Sequence, residues 1–417
     1  MKIAMAGQTW GPVNGPGVFA RRLAKRLAQR GHQILAIIPA PGIEFKWSLN
    51  DGVTLAQIPA IRVPFYPEIR ITPAPLRTIL KTFEKFRPDL LHIQDHYLLS
   101  RGALTAACSM GIPVIATNHF LPANILPHVP LATRCPPAAR LAETFLWRSL
   151  IEVLERTKLV TTPTKTAAAM LRPHLGQMPV RAISCGIDLD QFRPPATRER
   201  TIARSHWRID PCEVVFTYVG RLDFEKRVDV MVHAMARVQH PAVRLFVVGQ
   251  GQQRSRLRRL IRSCRVGERV ALLGFLEHSR LLSLLHASDF FAMPGDAELQ
   301  SIATLEAMAT GLPVLAANAC ALPEIIENGI NGALFEPGAA GEAAQKIECL
   351  AKQRNDHWGS MSSASLDRVA AHSLDLTVSS YETVYQNLTQ AFSCPAGAPP
   401  FRAHPCGRED SFGGKRS

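Results

Sequence analysis

Long apolar runs are missing from this chain of 417 residues. None approaches the ~18 residues needed to span a bilayer, so no membrane-crossing helix is expected. Paired cysteines are missing as well. Nine are scattered with no C-x-x-C and no Cys/His set at zinc spacing, which excludes a zinc module and a disulfide scaffold. An odd count without framework spacing fits a reducing compartment, with Cys108 and Cys320 expected as small core residues. Acids are short, 34 against 48 basic residues, leaving a net charge of +14 and a pI near 9.7. That balance favours an anionic partner such as nucleic acid, a phosphorylated metabolite or an anionic membrane surface, or else reflects a solvated basic face. The charge lies on dispersed helices with no nucleic-acid motif and no aromatic ladder, so specific nucleic-acid binding is not expected. G-x-G-x-x-G is absent, which weakens the case for a dinucleotide cofactor. The opening "MKIAMAG" is broken too soon by Gly7 for a signal peptide and reads as a first strand. The expected place is the cytoplasm, peripheral on the inner face of the cell membrane at most.

What is present is alternation. Short apolar runs ("KIAMAG", "QILAIIPAP", "VTLAQIPAI", "DLLHIQD", "PVIATNH", "KLVTTPT") are separated by amphipathic stretches at Val18–Arg30, Leu76–Phe86, Leu99–Met110 and about Ala138–Arg156. The pattern restarts at "VVFTYVG" and continues through "VRLFVVG", "VALLGF", "SDFFAMPG" and "PVLAAN". Strands alternating with helices predict parallel sheets covered by helices, here two doubly wound α/β units joined near Gly186–Pro195. "LDLTVSSYETVYQNLTQAF" predicts a last amphipathic helix, and the Pro/Gly-rich remainder from Ser393 predicts a disordered tail.

Ligands of open parallel sheets bind beyond the carboxyl ends of the strands. Polar residues at those ends are therefore the candidates. Arg221 and Lys226 follow "VVFTYVG" and could clamp a pyrophosphate, or could be solvated cations paired with Glu225 or Asp229. After "SDFFAMPG", Ser301 is a predicted N-cap for a helix to Thr310, whose free N–H groups suit phosphate. Glu298 precedes that helix and can reach a sugar; Glu306 lies within it and can take a ribose, or can be plain helix surface. In the first half, Asp95–His96 and His119 end neighbouring strands. Gly15 and Gly17 in "GPVNGPG" let a substrate or phosphate approach the backbone.

"GRLDFEKRVD", "ELQSIATLEAMATGLPVLAAN", "LPEIIENGINGALFEPG", "NGPGVFARRLAKRLAQRGH" and "VIATNHF" together resemble the retaining two-Rossmann-domain (GT-B) glycosyltransferases of family four. The resemblance implies hexosyl transfer, of mannose or glucose type, from a UDP- or GDP-sugar to an acceptor such as a membrane lipid headgroup or glycan, without a bound metal or other cofactor. It implies an acceptor-side domain at 1–190, a nucleotide-sugar domain at 191–374 and a helix at 375–392 returning to the first domain. It casts Arg221 and Lys226 as the groups that neutralise the departing diphosphate, and Glu298 as the acid on the donor sugar. Ser301 and Ile302 present amides, Glu306 takes the ribose, His119 lies near the transferred sugar, and Gly15 and Gly17 lie near donor phosphate and acceptor. The sequence departs from the family's usual E-G-F-G at Leu299, Gln300 and Ser301, and carries Pro16 between the two glycines. A sugar-nucleotide epimerase has the same architecture and is the alternative enzyme reading; a basic nucleic-acid-binding protein is the non-enzymatic one. Basic helices at Arg21–Arg30 and Arg254–Arg262, and an apolar stripe of Phe145, Leu146, Trp147, Leu150 and Ile151, are candidates for an anionic bilayer surface.

Overall fold

The computed structural model describes residues 1–11, 15–63, 66–72, 76–122, 126 and 135–393. The expected disordered tail therefore lies outside the described residues, apart from its first residue, Ser393.

The first sheet is built from β1 (Lys2–Ala6), β2 (Gln33–Pro39), β3 (Lys46–Asn50) and β4 (Val53–Ile58), then, after a separate antiparallel hairpin of β5 (Ile61–Val63) and β6 (Tyr66–Ile71), from β7 (Leu90–Ile93), β8 (Val114–Thr117), β9 (Leu159–Thr162) and β10 (Val180–Ala182). Its order is β10-β9-β8-β7-β1-β2-β4-β3, parallel except for the antiparallel edge strand β3. The inner strands are buried on both faces, as their unbroken apolar runs require. Sequence alternation missed β3, β5, β6 and β10, which are short, polar or exposed.

Helices α1 (Gly15–Gln29), α2 (Leu76–Phe86), α3 (Leu98–Ser109), α4 (Pro136–Leu154) and α5 (Lys165–Leu175) cover this sheet. Helix α1 buries Phe19, Ala20, Leu23, Ala24 and Leu27, a stripe at helical spacing. It starts at Gly15 rather than Val18, so the two candidate glycines belong to its first turn and not to a loop. A Cβ on Gly17 would sit 3.1 Å from the Gly11 backbone, so the close chain approach there requires glycine.

After α6 (Thr197–His206), the second sheet comprises β11 (Val214–Val219), β12 (Val243–Val248), β13 (Val270–Gly274), β14 (Phe290–Met293), β15 (Val314–Ala317) and β16 (Gly332–Phe335), in the order β13-β12-β11-β14-β15-β16. All pairings are parallel. The order in which strands are added reverses between β11 and β14, and in the first sheet between β1 and β7, although each of these pairs is parallel. These two switch points are where ligands are expected. Around the second sheet lie α7 (Val228–Met235), α8 (Arg254–Ser263), α9 (His278–Ala287), α10 (Ile302–Ala309), α11 (Leu322–Ile325), α12 (Ala340–Lys352) and α13 (Arg354–Ala370). A buried carboxylate ties this unit together. Asp289 accepts from Arg200 at 2.7 Å, Arg204 at 3.2 Å, Arg354 at 2.8 Å and the Val215 amide at 2.8 Å.

The chain crosses between the units twice, and the crossings hold each other. The Ile187 amide donates to the His372 carbonyl and the Leu374 amide to the Ile187 carbonyl, each at 2.8 Å. Gly186, at φ +74°, sits so close that a Cβ would meet Thr377 Oγ1 at 2.7 Å. Helix α14 (Leu374–Ser393) then returns to the first sheet. Its Tyr385 hydroxyl bonds His92 Nδ1 at 2.7 Å, and its Tyr381 hydroxyl bonds Thr117 Oγ1 at 3.0 Å and Thr161 Oγ1 at 3.1 Å. All five side chains are buried.

Two readings of the surface are corrected. Cys108 is exposed and Cys320 half-buried, with its thiol donating to the Asp296 carbonyl; among the described residues the buried cysteine is Cys185. The α4 stripe is mostly core: Leu150 is buried, and Trp147 and Ile151 pack against the first domain's interior, leaving Phe145 and its neighbour Leu141 outside. The charges of α1 are largely spent inside the molecule, Lys25 on Asp51, Arg26 on Asp188 and Arg30 on Asp375 and Glu382.

Candidate active site

Strand β11 delivers Arg221 and the 3₁₀ turn Phe224–Lys226 to the second sheet's switch point, and β14 delivers Glu298 from the other side. Lys226 Nζ meets Glu298 Oε1 at 2.5 Å, with the lysine one-fifth exposed and the acid almost buried. Arg221 lies on the same loop but is turned to two acids, Asp223 at 2.5 Å and Glu225 at 2.7 Å. Glu225 is thus the partner that a purely structural role would give it, whereas Asp229 pairs with Arg227 instead. The Arg221 charge also acts on Tyr97 of the first domain, opposing the burial that pushes this phenol up to about 12.

Ser301 caps α10, its hydroxyl accepting from the Thr304 amide at 3.3 Å. Ile302 opens the helix and packs against the cores of both domains. Across the cleft, a Cβ on Gly15 would lie 3.9 Å from Ile302 Cδ1. The amino ends of α1 and α10 therefore face one another, and neither first turn carries an acid. Two converging helix N-termini beside Lys226 make a concentration of positive potential suited to a diphosphate.

Glu306 is not plain surface. Its Oε1 takes Arg22 Nη2 of α1 at 2.6 Å, an ion pair that spans the cleft. Burial raises the Glu306 carboxyl above its ordinary range, and the Arg22 charge and hydrogen bond pull it back only in part. Arg22 escaped notice in the sequence because it is one of several basic residues on α1. Only its position three residues after buried Phe19 marks it as facing inward.

The residues that break the E-G-F-G pattern fasten the domains. Gln300 Oε1 accepts the Cys185 amide at 2.7 Å and its Nε2 donates to Ser184 Oγ at 3.1 Å. Leu299 packs with Leu121 and Ala167, and its carbonyl accepts from Thr164 Oγ1 at 2.9 Å. Glu324 of α11 accepts the Lys165 and Thr166 amides at the start of α5. These contacts escaped the sequence reading because they join segments far apart in the chain.

Asp95, expected on the substrate, is committed to the protein. It accepts the Gln8 amide at 2.5 Å, the Tyr97 amide at 3.1 Å and Ser100 Oγ at 2.7 Å. Its work is to pin the loops after β1 and β7. His119 stands beside Phe19, with ring centroids 5.0 Å apart, and its Nε2 is buried without a partner. Burial holds His119 to about 3, and likewise His92 to about 3 and His96 to about 4. All three are neutral at pH 7. Their native values lie below the ~6.5 of an unfolded chain, so the unfolded state takes up protons first as the pH falls. Stability from these groups is full above about pH 6.5 and is lost toward pH 4. Melting temperatures measured from neutrality downward should fall over that window. A profile flat down to about pH 4 would show that the three rings are not desolvated.

Among the described residues, no three His, Cys, Asp or Glu side chains converge as they would around a metal ion.

Comparison with known proteins gives the family and the fold. Residues 13–191 match the family described as Glycosyltransferase Family 4, and residues 199–362 match Glycosyl transferases group 1. A GDP-mannose-dependent alpha-mannosyltransferase of Mycobacterium tuberculosis (strain CDC 1551) is 28% identical, over 81% of this chain and 84% of that one. A GDP-mannose-dependent alpha-(1-6)-phosphatidylinositol dimannoside mannosyltransferase of the same strain is 26% identical, over 78% of this chain and 82% of that one. The solved sucrose-phosphate synthase of Thermosynechococcus elongatus shares the fold, with a TM-score of 0.77 at 20% identity over 94% of this chain and all of that one. The chain is a GT-B glycosyltransferase of the group 1, family-four type, an enzyme that uses a nucleotide-sugar donor.

Proposed function

We propose that this enzyme moves a hexosyl group of mannose or glucose type from a GDP- or UDP-sugar to a membrane lipid headgroup or a glycan, with retention at the anomeric carbon. One observation carries the reading: Lys226, Glu298 and the amino ends of α1 and α10 meet at one switch point. The bond from the anomeric carbon to the β-phosphate oxygen breaks, its electron pair leaving with the nucleoside diphosphate. Lys226, Arg221 and the helix amides stabilise the charge that grows on that oxygen. The acceptor hydroxyl attacks the same face, and its proton passes to the departing phosphate. Fixed cations and amides supply the positive charge, so the reading needs no metal. Glu298 orients Lys226 and borders the donor sugar, while Glu306 exchanges Arg22 for the ribose hydroxyls.

The membrane part of the proposal rests on α4, where Leu141 and Phe145 are 74% and 69% exposed among the exposed Arg140 and Arg148. An apolar pair flanked by cations suits an anionic bilayer from the cytoplasmic side.

The test is release of nucleoside diphosphate from GDP-mannose or UDP-glucose, with vesicles of phosphatidylinositol or of diacylglycerol in phosphatidylcholine. We expect release that depends on vesicles, increases with anionic lipid and yields a glycolipid of retained configuration. Free epimerised sugar formed without any acceptor would establish the epimerase instead. A covalent sugar trapped on Glu298 would overturn the same-face mechanism.

A further inference from the structure

Six residues other than glycine hold a left-handed backbone among the described residues: Asp51, Arg87, Arg208, Arg227, Arg265 and Cys320. Four stand where such turns are usual. Asp51 turns the hairpin from β3 to β4, and Arg87, Arg208 and Arg265 lie just past the ends of α2, α6 and α8. The other two, Arg227 at φ +48° and Cys320 at φ +48°, stand before helices instead, α7 and α11. Both flank the donor site, and both bond the same residue. Arg227 Nη1 donates to Asp296 Oδ2 at 3.1 Å, and the Cys320 thiol donates to the Asp296 carbonyl at 3.3 Å.

Asp296 lies two residues before Glu298, and Arg227 directly follows Lys226. The β11 and β14 loops are thus joined by two rungs, Lys226 to Glu298 and Arg227 to Asp296. Consecutive side chains point to opposite faces of a strand and about 100° apart on a helix. Here the left-handed turn at Arg227 lies between the 3₁₀ turn and α7, and both side chains reach one loop. Backbone contacts close the joint. The Asp296 amide donates to the Glu225 carbonyl at 3.3 Å, and the Ala321 amide beside Cys320 donates to the Glu298 carbonyl at 3.1 Å. A Cβ on Gly295 would lie 3.1 Å from Glu298 Oε1 and 3.3 Å from the Glu225 carbonyl oxygen, so the loops are pressed together.

As a source of stability this arrangement is poor. The Arg227 and Asp296 side chains are each about one-third exposed, so their ion pair is screened and contributes little. The same holds for the longer contact of Arg227 with Asp229, at 3.6 Å. A left-handed backbone at an arginine costs more than such pairs return, and strain of that kind clusters where a site puts it to use. We propose that Arg227 and Asp296 are positioning residues for glycosyl transfer: their bridge, anchored by Cys320, sets where Lys226 and Glu298 stand against the donor. The proposal rests on the donor half of the proposed function. Arg227 acts through Lys226, whose backbone it turns, and Asp296 acts through Glu298; neither is asked to touch the donor.

Arg227→Asn and Asp296→Asn test this by kinetics on GDP-mannose and UDP-glucose, with GDP and UDP affinity and Tm measured on the same preparations. Asparagine takes the left-handed turn readily, so the first variant keeps the backbone and loses the bridge. Each variant should lower kcat by about 10–10², as a ~1 Å displacement of a catalytic group does. Nucleotide affinity should stay within about twofold, and Tm within ~2 °C, the small loss of a half-exposed pair. The double variant should be no slower than the slower single, because the two changes remove one bridge. Arg227→Lys, which keeps a cation beside Asp296, should recover part of the rate. Unchanged kcat in both singles, or losses that multiply in the double, would overturn the proposal. So would a fall in nucleotide affinity matching the fall in kcat, which would make Arg227 a ligand contact, or a drop in Tm large enough to account for the lost activity. Amide exchange read by mass spectrometry without donor keeps this proposal apart from the proposed function. It should quicken in residues 222–227 and 295–299 of both variants, and no change there would sink the bridge whether or not the wild type transfers hexose. Quickened exchange in variants of a wild type that turns over no nucleotide sugar would refute the proposed function while supporting the bridge.

Discussion

Lys226→Met is expected to lower kcat by about 10²–10³, the loss seen when one preorganised donor to a developing oxyanion is removed. The reason is geometric. Lys226 is the cation whose Nζ lies against Glu298 at the meeting of the β11 and β14 loops, where it can shift to a leaving phosphate over a short distance. An interaction made mainly in the transition state lowers kcat and kcat/KM together and leaves donor binding less affected. Stopped-assay kinetics with a nucleotide-sugar donor, alongside a thermal-shift titration of GDP, separate the two. A rise in donor KM with kcat unchanged would recast Lys226 as a ground-state contact. Lys226→Arg controls for the carboxylate left behind: it keeps the charge on Glu298 while spoiling the point-charge geometry.

Asp289→Ala should be the most damaging change to stability, costing about 3–5 kcal/mol, the range for breaking a buried ion pair from one side. Three arginines from α6 and from the start of α13 converge on this carboxylate, which is 1% exposed, and Trp358 Nε1 donates to its carbonyl at 2.6 Å. Removing it leaves Arg200, Arg204 and Arg354 crowded together without a counter-charge. For a domain of this size the loss corresponds to a Tm lower by roughly 10 °C, by differential scanning calorimetry. A change within a degree or two would mean that solvent already screens the arginines. Asp289 precedes β14 and Glu298 follows it, so the cluster and the donor site lie at opposite ends of that strand, and residual enzyme below the new Tm should keep its donor affinity.

Much of the architecture was legible because its signals are local. Apolar runs of strand length, alternating with helical stripes, announce parallel sheets wherever both faces are buried. The candidate donor loop was legible for a related reason: Arg221, Lys226, Glu298 and Ser301 sit within short segments at strand ends, where topology alone predicts a ligand. The rest depended on partners that sequence spacing does not reveal. Nothing around Arg22 announces Glu306, 284 positions away, and nothing around Gln300 announces Cys185. Asp95 looked like a site residue because it ends a strand, yet its lone pairs are consumed by three local donors. Thiol burial was misjudged for Cys108 because the last turn of α3 presents it outward, which helical spacing at a helix end defines poorly.

The return of α14 to the first sheet reverses the order in which the molecule can be finished. The ribosome makes the first sheet early, but His92 must wait for a tyrosine 293 residues downstream, and Thr117 and Thr161 for Tyr381. Everything from β11 to α13 is contiguous and can settle as a unit beforehand. The domain made first is thus sealed last. Until then the nascent chain carries an open seam in its oldest part, along the face where α14 will lie.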